Sequence, residues 1–152
     1  MLLRKAHESE LDSIYLMGFD VWGDKLSRSE YLKGCQNSPK YRSGAWYVLV
    51  VDDIPVSSLI VYSEQFGLSK RCVGIGSVAT HPEMRRLGFA YHLVEGVTQR
   101  LLSDTGVDVV FLHSDIQHIF YQKLGYSTIA ETDCMYISRQ HAEFQGSIPS
   151  YF

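Results

Sequence analysis

Ser77-Val78-Ala79-Thr80-His81-Pro82-Glu83-Met84-Arg85-Arg86-Leu87-Gly88-Phe89-Ala90-Tyr91 joins two differently patterned stretches, and its reading decides the fold. Before it, Cys72 to Thr80 reads as a strand whose Gly74 and Gly76 leave little side chain on one face, as happens where a ligand or another backbone comes close. After it, Ala90, Val94, Val97 and Leu101 recur at three- and four-residue steps with Leu93 and Leu102 beside them, which predicts an amphipathic helix from Gly88 to Ser103 stopped by Gly106. A helix entrance exposes unpaired N–H groups and the positive end of its dipole. Gly88 and Ala90 keep side chains clear of that entrance, and Arg85 and Arg86 add charge, so the turn reads as an anion site. An isolated arginine–glycine pair more often does no more than ease a turn; the strand and helix on either side favour the anion reading. Gly74-Ile75-Gly76 lacks the third glycine of a dinucleotide fingerprint, and no P-loop is present.

Working outward, Leu2 to Ala6 predicts a short strand, and Ser9 to Asp20 a helix with Leu11, Ile14, Tyr15 and Gly18 at helical spacing. Ser27 and Glu30 form a capping-box pair that opens a second helix, ending at Asn37-Ser38-Pro39. Ala45 to Val51 and Val56 to Tyr62 are β-rich runs around an Asp52-Asp53 turn and predict a hairpin. Beyond the long helix come a dense apolar strand, Val107 to His113, a short helix, Ile116 to Lys123, with Gly125 as its C′ residue, and a final strand, Ser127 to Ile137. The order is mixed α/β. Residues 1–152 read as one domain with a tail from Ser138 to Phe152 that carries Phe144, Ile148, Tyr151 and Phe152.

The 152 residues are 45% hydrophobic and 20% charged, enough apolar material for a core and unlike a disordered chain. Fourteen basic against 17 acidic side chains give a net charge of -3, which argues against a nucleic-acid footprint or a basic membrane patch. Cys35, Cys72 and Cys134 are odd in number and widely spaced, so neither a disulfide framework nor a thiolate zinc site is expected. The six histidines show no metal-pair spacing, so no metal is expected. With no apolar leader after Met1 and no membrane-length apolar run, a cytoplasmic location is expected.

Arg85-x-x-Gly88-x-Ala90, preceded by Val78-Ala79-Thr80 and Pro82, resembles the R/Q-x-x-G-x-G/A signature of GNAT N-acetyltransferases. Phe120-Tyr121-Gln122-Lys123-Leu124-Gly125-Tyr126 resembles that family's late Y-x-K-L-G-F/Y motif. The resemblance implies a GNAT-like fold: a central, mostly antiparallel sheet with a splayed parallel strand pair, flanked by helices. It also implies acetyl-CoA as co-substrate, with pantetheine along Val78, Ala79 and Thr80 and the diphosphate on the amides of Arg86, Leu87, Gly88, Phe89, Ala90 and Tyr91, beside Arg85. Ser114, Phe120 and Lys123 complete the implied cofactor set.

By the same resemblance, the Val78 N–H serves the developing oxyanion and Tyr121 hydrogen-bonds the departing sulfur as general acid. Two positions depart from the family. Gly74 stands where some members carry a glutamate base, and Ser114, seven residues before Tyr121, stands where many have asparagine. His113, Asp115 and Glu64 are candidates for removing the amine's proton, none of them singled out; His81, before a proline, reads as structural. Trp22, Tyr31, Trp46, Tyr62 and the loop from Gln65 to Lys70 can wall an acceptor pocket, and core packing explains the aromatics equally well. The implied activity is acetyl transfer to a primary amine of a small molecule or peptide. A catalytically silent acyl-CoA-binding module and a nucleotide-binding regulator stand as alternatives. The final strand and tail can pair across a homodimer axis or cover the monomer's own core.

Overall fold

The computed structural model describes residues 1–140, 143–144 and 146–152, so His141, Ala142 and Gln145 of the tail lie outside the described residues. The strands are β1 (Leu2–Lys5), β2 (Ala45–Val51), β3 (Ile54–Ser63), β4 (Cys72–Thr80), β5 (Val109–His113), β6 (Ser127–Thr128) and β7 (Cys134–Ser138). The α-helices are α1 (Leu11–Leu16), α2 (Phe19–Trp22), α3 (Arg28–Gln36), α4 (Pro39–Ser43), α5 (Phe89–Ser103) and α6 (Ile119–Gln122). The sheet order is β1-β2-β3-β4-β5-β7-β6, mostly antiparallel, with β4 and β5 the parallel pair. That is the mixed, mostly antiparallel sheet with flanking helices expected from the sequence. The chain forms two compact units, each gathered from two segments: residues 1–60 with 77–94, and residues 61–76 with 95–152.

In the first unit, β1 runs antiparallel to β2 from Leu2↔Val50 to Lys5↔Tyr47. Asp52 and Asp53 both take positive φ, 49° and 63°, the two-residue turn whose twist matches a hairpin. In β3 every residue from Val56 to Ile60 is buried, as befits a strand covered on both faces. Ser27 accepts the Glu30 amide at 3.1 Å and opens α3 as expected. Pro39, which ends α3, also sits in the first turn of the unforeseen α4, capped by the Ser38 hydroxyl on the Tyr41 amide at 3.2 Å.

The single helix expected from Ser9 to Asp20 is instead a 3-10 turn, Glu8–Glu10, followed by α1 and α2. The break is packed in place: a Cβ on Gly18 would lie 2.1 Å from the Trp22 ring. The amides of Val21 and Trp22 both turn to the Gly18 carbonyl, at 3.1 and 2.8 Å, so Met17 is bypassed as a helical acceptor.

In the second unit, the parallel ladder runs from Cys72↔Val109 to Ile75↔Leu112. Ser77, where the first unit's part of β4 begins, takes φ +47°, a left-handed residue inside a strand. β5 starts at Val109, later than expected, because the Val107 amide closes a turn on the Asp104 carbonyl at 3.1 Å. The helix expected over Ile116 to Lys123 shrinks to Ile119–Gln122, since the Ser114 hydroxyl takes the Ile116 amide and carbonyl into a tight turn. The single final strand becomes a hairpin: β6 and β7 pair antiparallel around a turn at Glu131, φ +64°. The sequence Glu131-Thr132-Asp133 prefers that turn to an extended run. Gly125, φ +95°, ends α6 as the C′ residue, and the Tyr126 amide reaches back to the Tyr121 carbonyl at 3.1 Å.

Candidate functional site

The first group of site residues lies in the first unit. Val78, Ala79 and Thr80 are half-buried at the end of β4. Beneath them, fully buried Ser57 of β3 donates to the Ala79 carbonyl at 2.8 Å and pairs with the Thr80 hydroxyl at 3.0 Å. The His81 amide donates to the Val56 carbonyl at 2.9 Å. Ser77 donates to the Tyr41 hydroxyl at 3.4 Å, and burial raises the Tyr41 phenol. Ser57 and the His81 amide tie the end of β4 to β3, and Tyr41 ties it to α4; no sequence motif signalled Ser57 or Tyr41.

The turn follows. His81 accepts the Glu83 amide through Nδ1 at 3.3 Å and caps a 3-10 turn, Pro82–Met84, which is the structural part read for it from sequence. Arg86 takes φ +65° and Gly88 φ +84°, so the chain enters α5 through two left-handed residues. Turns of that hand gather successive N–H groups into an anion-binding concavity. Arg86, Leu87 and Gly88 are exposed, and a Cβ on Gly88 would meet nothing nearer than His92 at 3.9 Å, so the entrance is open. Phe89, Ala90 and Tyr91, half-buried, form the first turn of the 15-residue α5.

Arg85, expected beside the diphosphate, is engaged by groups of the chain itself. Its guanidinium forms a fork with Asp20, Nη1–Oδ2 at 2.6 Å and Nη2–Oδ1 at 2.8 Å, and donates to the carbonyls of Thr80 and Met17, each at 3.1 Å. The fork holds the Asp20 carboxyl below its usual range. Asp20 carried no signal in the sequence, where it stands only as the last residue of the expected first helix.

The second group lies in the second unit. Tyr121 of α6 is 7% exposed and stacks edge-on with Phe120 at 4.9 Å. Burial pushes its phenol up to about 12, with the charge of Asp115 adding to the effect. Lys123 is exposed at the end of α6. Ser114 is buried; its hydroxyl donates to the Ile116 carbonyl at 2.8 Å and its amide to Asp133 at 2.8 Å, so it shapes the turn.

The end of the tail packs within the second unit, a contact with Gly74 that sequence reasoning did not draw. Phe152 is 5% exposed, and a Cβ on Gly74 would lie 2.3 Å from its ring. Its ring also meets Tyr62 at 5.7 Å and His113 at 4.7 Å. Ser150 clips the segment down, its amide and hydroxyl both on the Phe66 carbonyl at 2.8 and 3.0 Å, with His113 Nε2 3.1 Å from its own carbonyl. Tyr151 donates to Asp115 at 3.2 Å. Of the aromatics read as an acceptor wall, Tyr31 and Trp46 are buried in the first unit and Tyr62 in the second, while Trp22 is 39% exposed.

No group of three or more metal-ligating side chains converges among the described residues. Nor is any described helix long and apolar enough to cross a membrane.

A model of the acetyltransferase (GNAT) domain matches residues 3–129, and the chain belongs to that family. No curated protein matches it. Among solved structures it resembles a GNAT family acetyltransferase from Brucella melitensis in complex with acetyl-CoA, with TM-score 0.67, 14% identity, and 99% and 92% of the two chains covered. It is also similar to aminoglycoside acetyltransferase AAC(6')-Ib in complex with coenzyme A, with TM-score 0.66, 20% identity, and 91% and 95% covered. A spermidine N-acetyltransferase chimera from Vibrio cholerae and hSSAT gives TM-score 0.67, 13% identity, and 92% and 97% covered. At identities this low the likeness carries the fold alone.

Proposed function

We propose that this protein is an N-acetyltransferase that uses acetyl-CoA to acetylate a primary amine of a small molecule or peptide. The observation that carries the proposal is the open, doubly left-handed entrance to α5, Arg86 at φ +65° and Gly88 at φ +84°. Family relatives bound to acetyl-CoA or coenzyme A support the choice of donor. The amides from Arg86 to Tyr91 would hold the diphosphate, and the backbone of Val78 to Thr80 the pantetheine. When bound, acetyl-CoA supplies an activated thioester carbonyl.

The rest falls to the chain's own groups. The Val78 N–H donates a hydrogen bond to the carbonyl oxygen as negative charge develops on it, and preorganised donors of this kind are worth about 3 kcal/mol each. Tyr121 donates to the sulfur as it departs. Its phenol, near 12, is a far weaker acid than a thiol at ~8.5, so it gives a hydrogen bond that strengthens with sulfur charge rather than an early proton. An amine with a pKa of ~10 must lose a proton before it attacks. His113, Asp115 and Glu64 are the groups proposed to receive it, directly or through water.

One observation favours the second reading, a silent acyl-CoA-binding module: at Gly74 there is no carboxylate, and the space is filled by Phe152. Thiol release from acetyl-CoA with a panel of primary amines decides between them. Turnover above the rate without amine supports the enzyme; CoA binding without turnover supports the module.

A further inference from the structure

The arginine that opens the signature turn is already occupied. A guanidinium has five N–H donors. Four of those of Arg85 are taken: one by the Thr80 carbonyl, one by the Met17 carbonyl and two by the Asp20 carboxylate. One donor at most is left for any ligand. The two carbonyls lie at places that matter. Thr80 is the last residue of β4, where the chain leaves the strand for the turn. Met17 lies at the α1–α2 break, where the amides of Val21 and Trp22 have both gone to Gly18.

Resting on the function proposed above, we infer that Asp20 is a positioning residue for the donor site: it holds Arg85 so that Arg85 shapes the turn from Thr80 to Gly88 rather than touching the diphosphate. Ordering of that turn and of the α1–α2 break are then one event. A ligand that favours one favours the other, since coupling between sites is reciprocal.

The inference reverses the sign of a simple experiment. If Arg85 were a direct anion ligand, Asp20→Asn would remove a competing negative charge, release the guanidinium and tighten CoA binding. If Arg85 is held in place by Asp20, the same change loosens the turn and weakens binding. The test is titration calorimetry with CoA on the full chain, wild type against Asp20→Asn, well below the melting temperature of each. Arg85→Lys keeps the charge and loses the fork, and guards against one variant's failing to fold. Both variants are expected to bind CoA roughly tenfold more weakly. In turnover, KM for acetyl-CoA rises by a similar factor while kcat at saturation is retained. A stabilising role alone would lower the melting temperature and leave both quantities unchanged. Unchanged or tighter binding by Asp20→Asn overturns the inference while leaving the function standing. Absence of CoA binding by the wild type overturns both.

Discussion

At Gly88, φ is +84° and a Cβ would meet nothing nearer than His92 at 3.9 Å, so it is backbone conformation, not a clash within the protein, that disfavours a side chain there. Gly88→Ala is expected to lower stability by about 1–2 kcal/mol through the left-handed backbone alone, and to weaken CoA binding further by intruding on the entrance. Thermal melting and calorimetry separate the two effects. Tyr121→Phe keeps the buried ring and removes the donor. It should leave CoA affinity unchanged and cut kcat by about 100-fold, measured as thiol release at saturating acetyl-CoA. Both residues were legible, because each sits in a short motif with a mechanism attached. Asp20 was not: nothing local marks an exposed aspartate as the partner of an arginine 65 residues on. Ser57, and the seating of Phe152 on Gly74, were missed for the same reason, since their meaning is a contact made across the fold.

The elements that the sequence declared best are those whose period is undiluted. β4, from Cys72 to Thr80, matches its expected bounds, and α5, from Phe89 to Ser103, differs by one residue at its start. The misread elements are short, and side-chain competition with the backbone decides them: the Trp22 ring over Gly18 splits the first helix, and the Ser114 hydroxyl trims α6. Near the start of the sequence, Arg4 of β1 makes a fork with Glu10 at 2.7 and 2.9 Å, and Glu10 also accepts the His7 amide at 2.8 Å. The hydrogen bonds to Arg4, more than its bare charge, bring the Glu10 carboxyl from 4.5 down to about 2. A depressed carboxyl stabilises the fold fully above its unfolded value, and that contribution is lost as pH falls through the interval from about 4.5 to 2. Acid unfolding of Glu10→Gln should therefore be shallower over that interval than that of the wild type, followed by circular dichroism.

Each of the two compact units draws on both halves of the chain, so its stability depends on contacts of long sequence separation. In the second unit the clearest is the tail segment on β4. Phe152→Ala should cost about 3–5 kcal/mol as a buried aromatic truncated to a cavity. Gly74→Ala should also destabilise, because its Cβ would fall on the ring. The double variant should be more stable than the sum of the two predicts, which chemical denaturation of all four proteins would measure. An aromatic tail and a bare face at Gly74 are both visible in the sequence, with nothing local that joins them. The proposed diphosphate site at the entrance to α5 is tested most directly by titration calorimetry of the full chain with CoA and with pantetheine. The prediction is saturable heat with CoA, weakening as salt is raised, and much weaker binding of pantetheine, which lacks the diphosphate. Folded protein that gives no heat with CoA or acetyl-CoA, or that binds pantetheine as tightly as CoA, would contradict it.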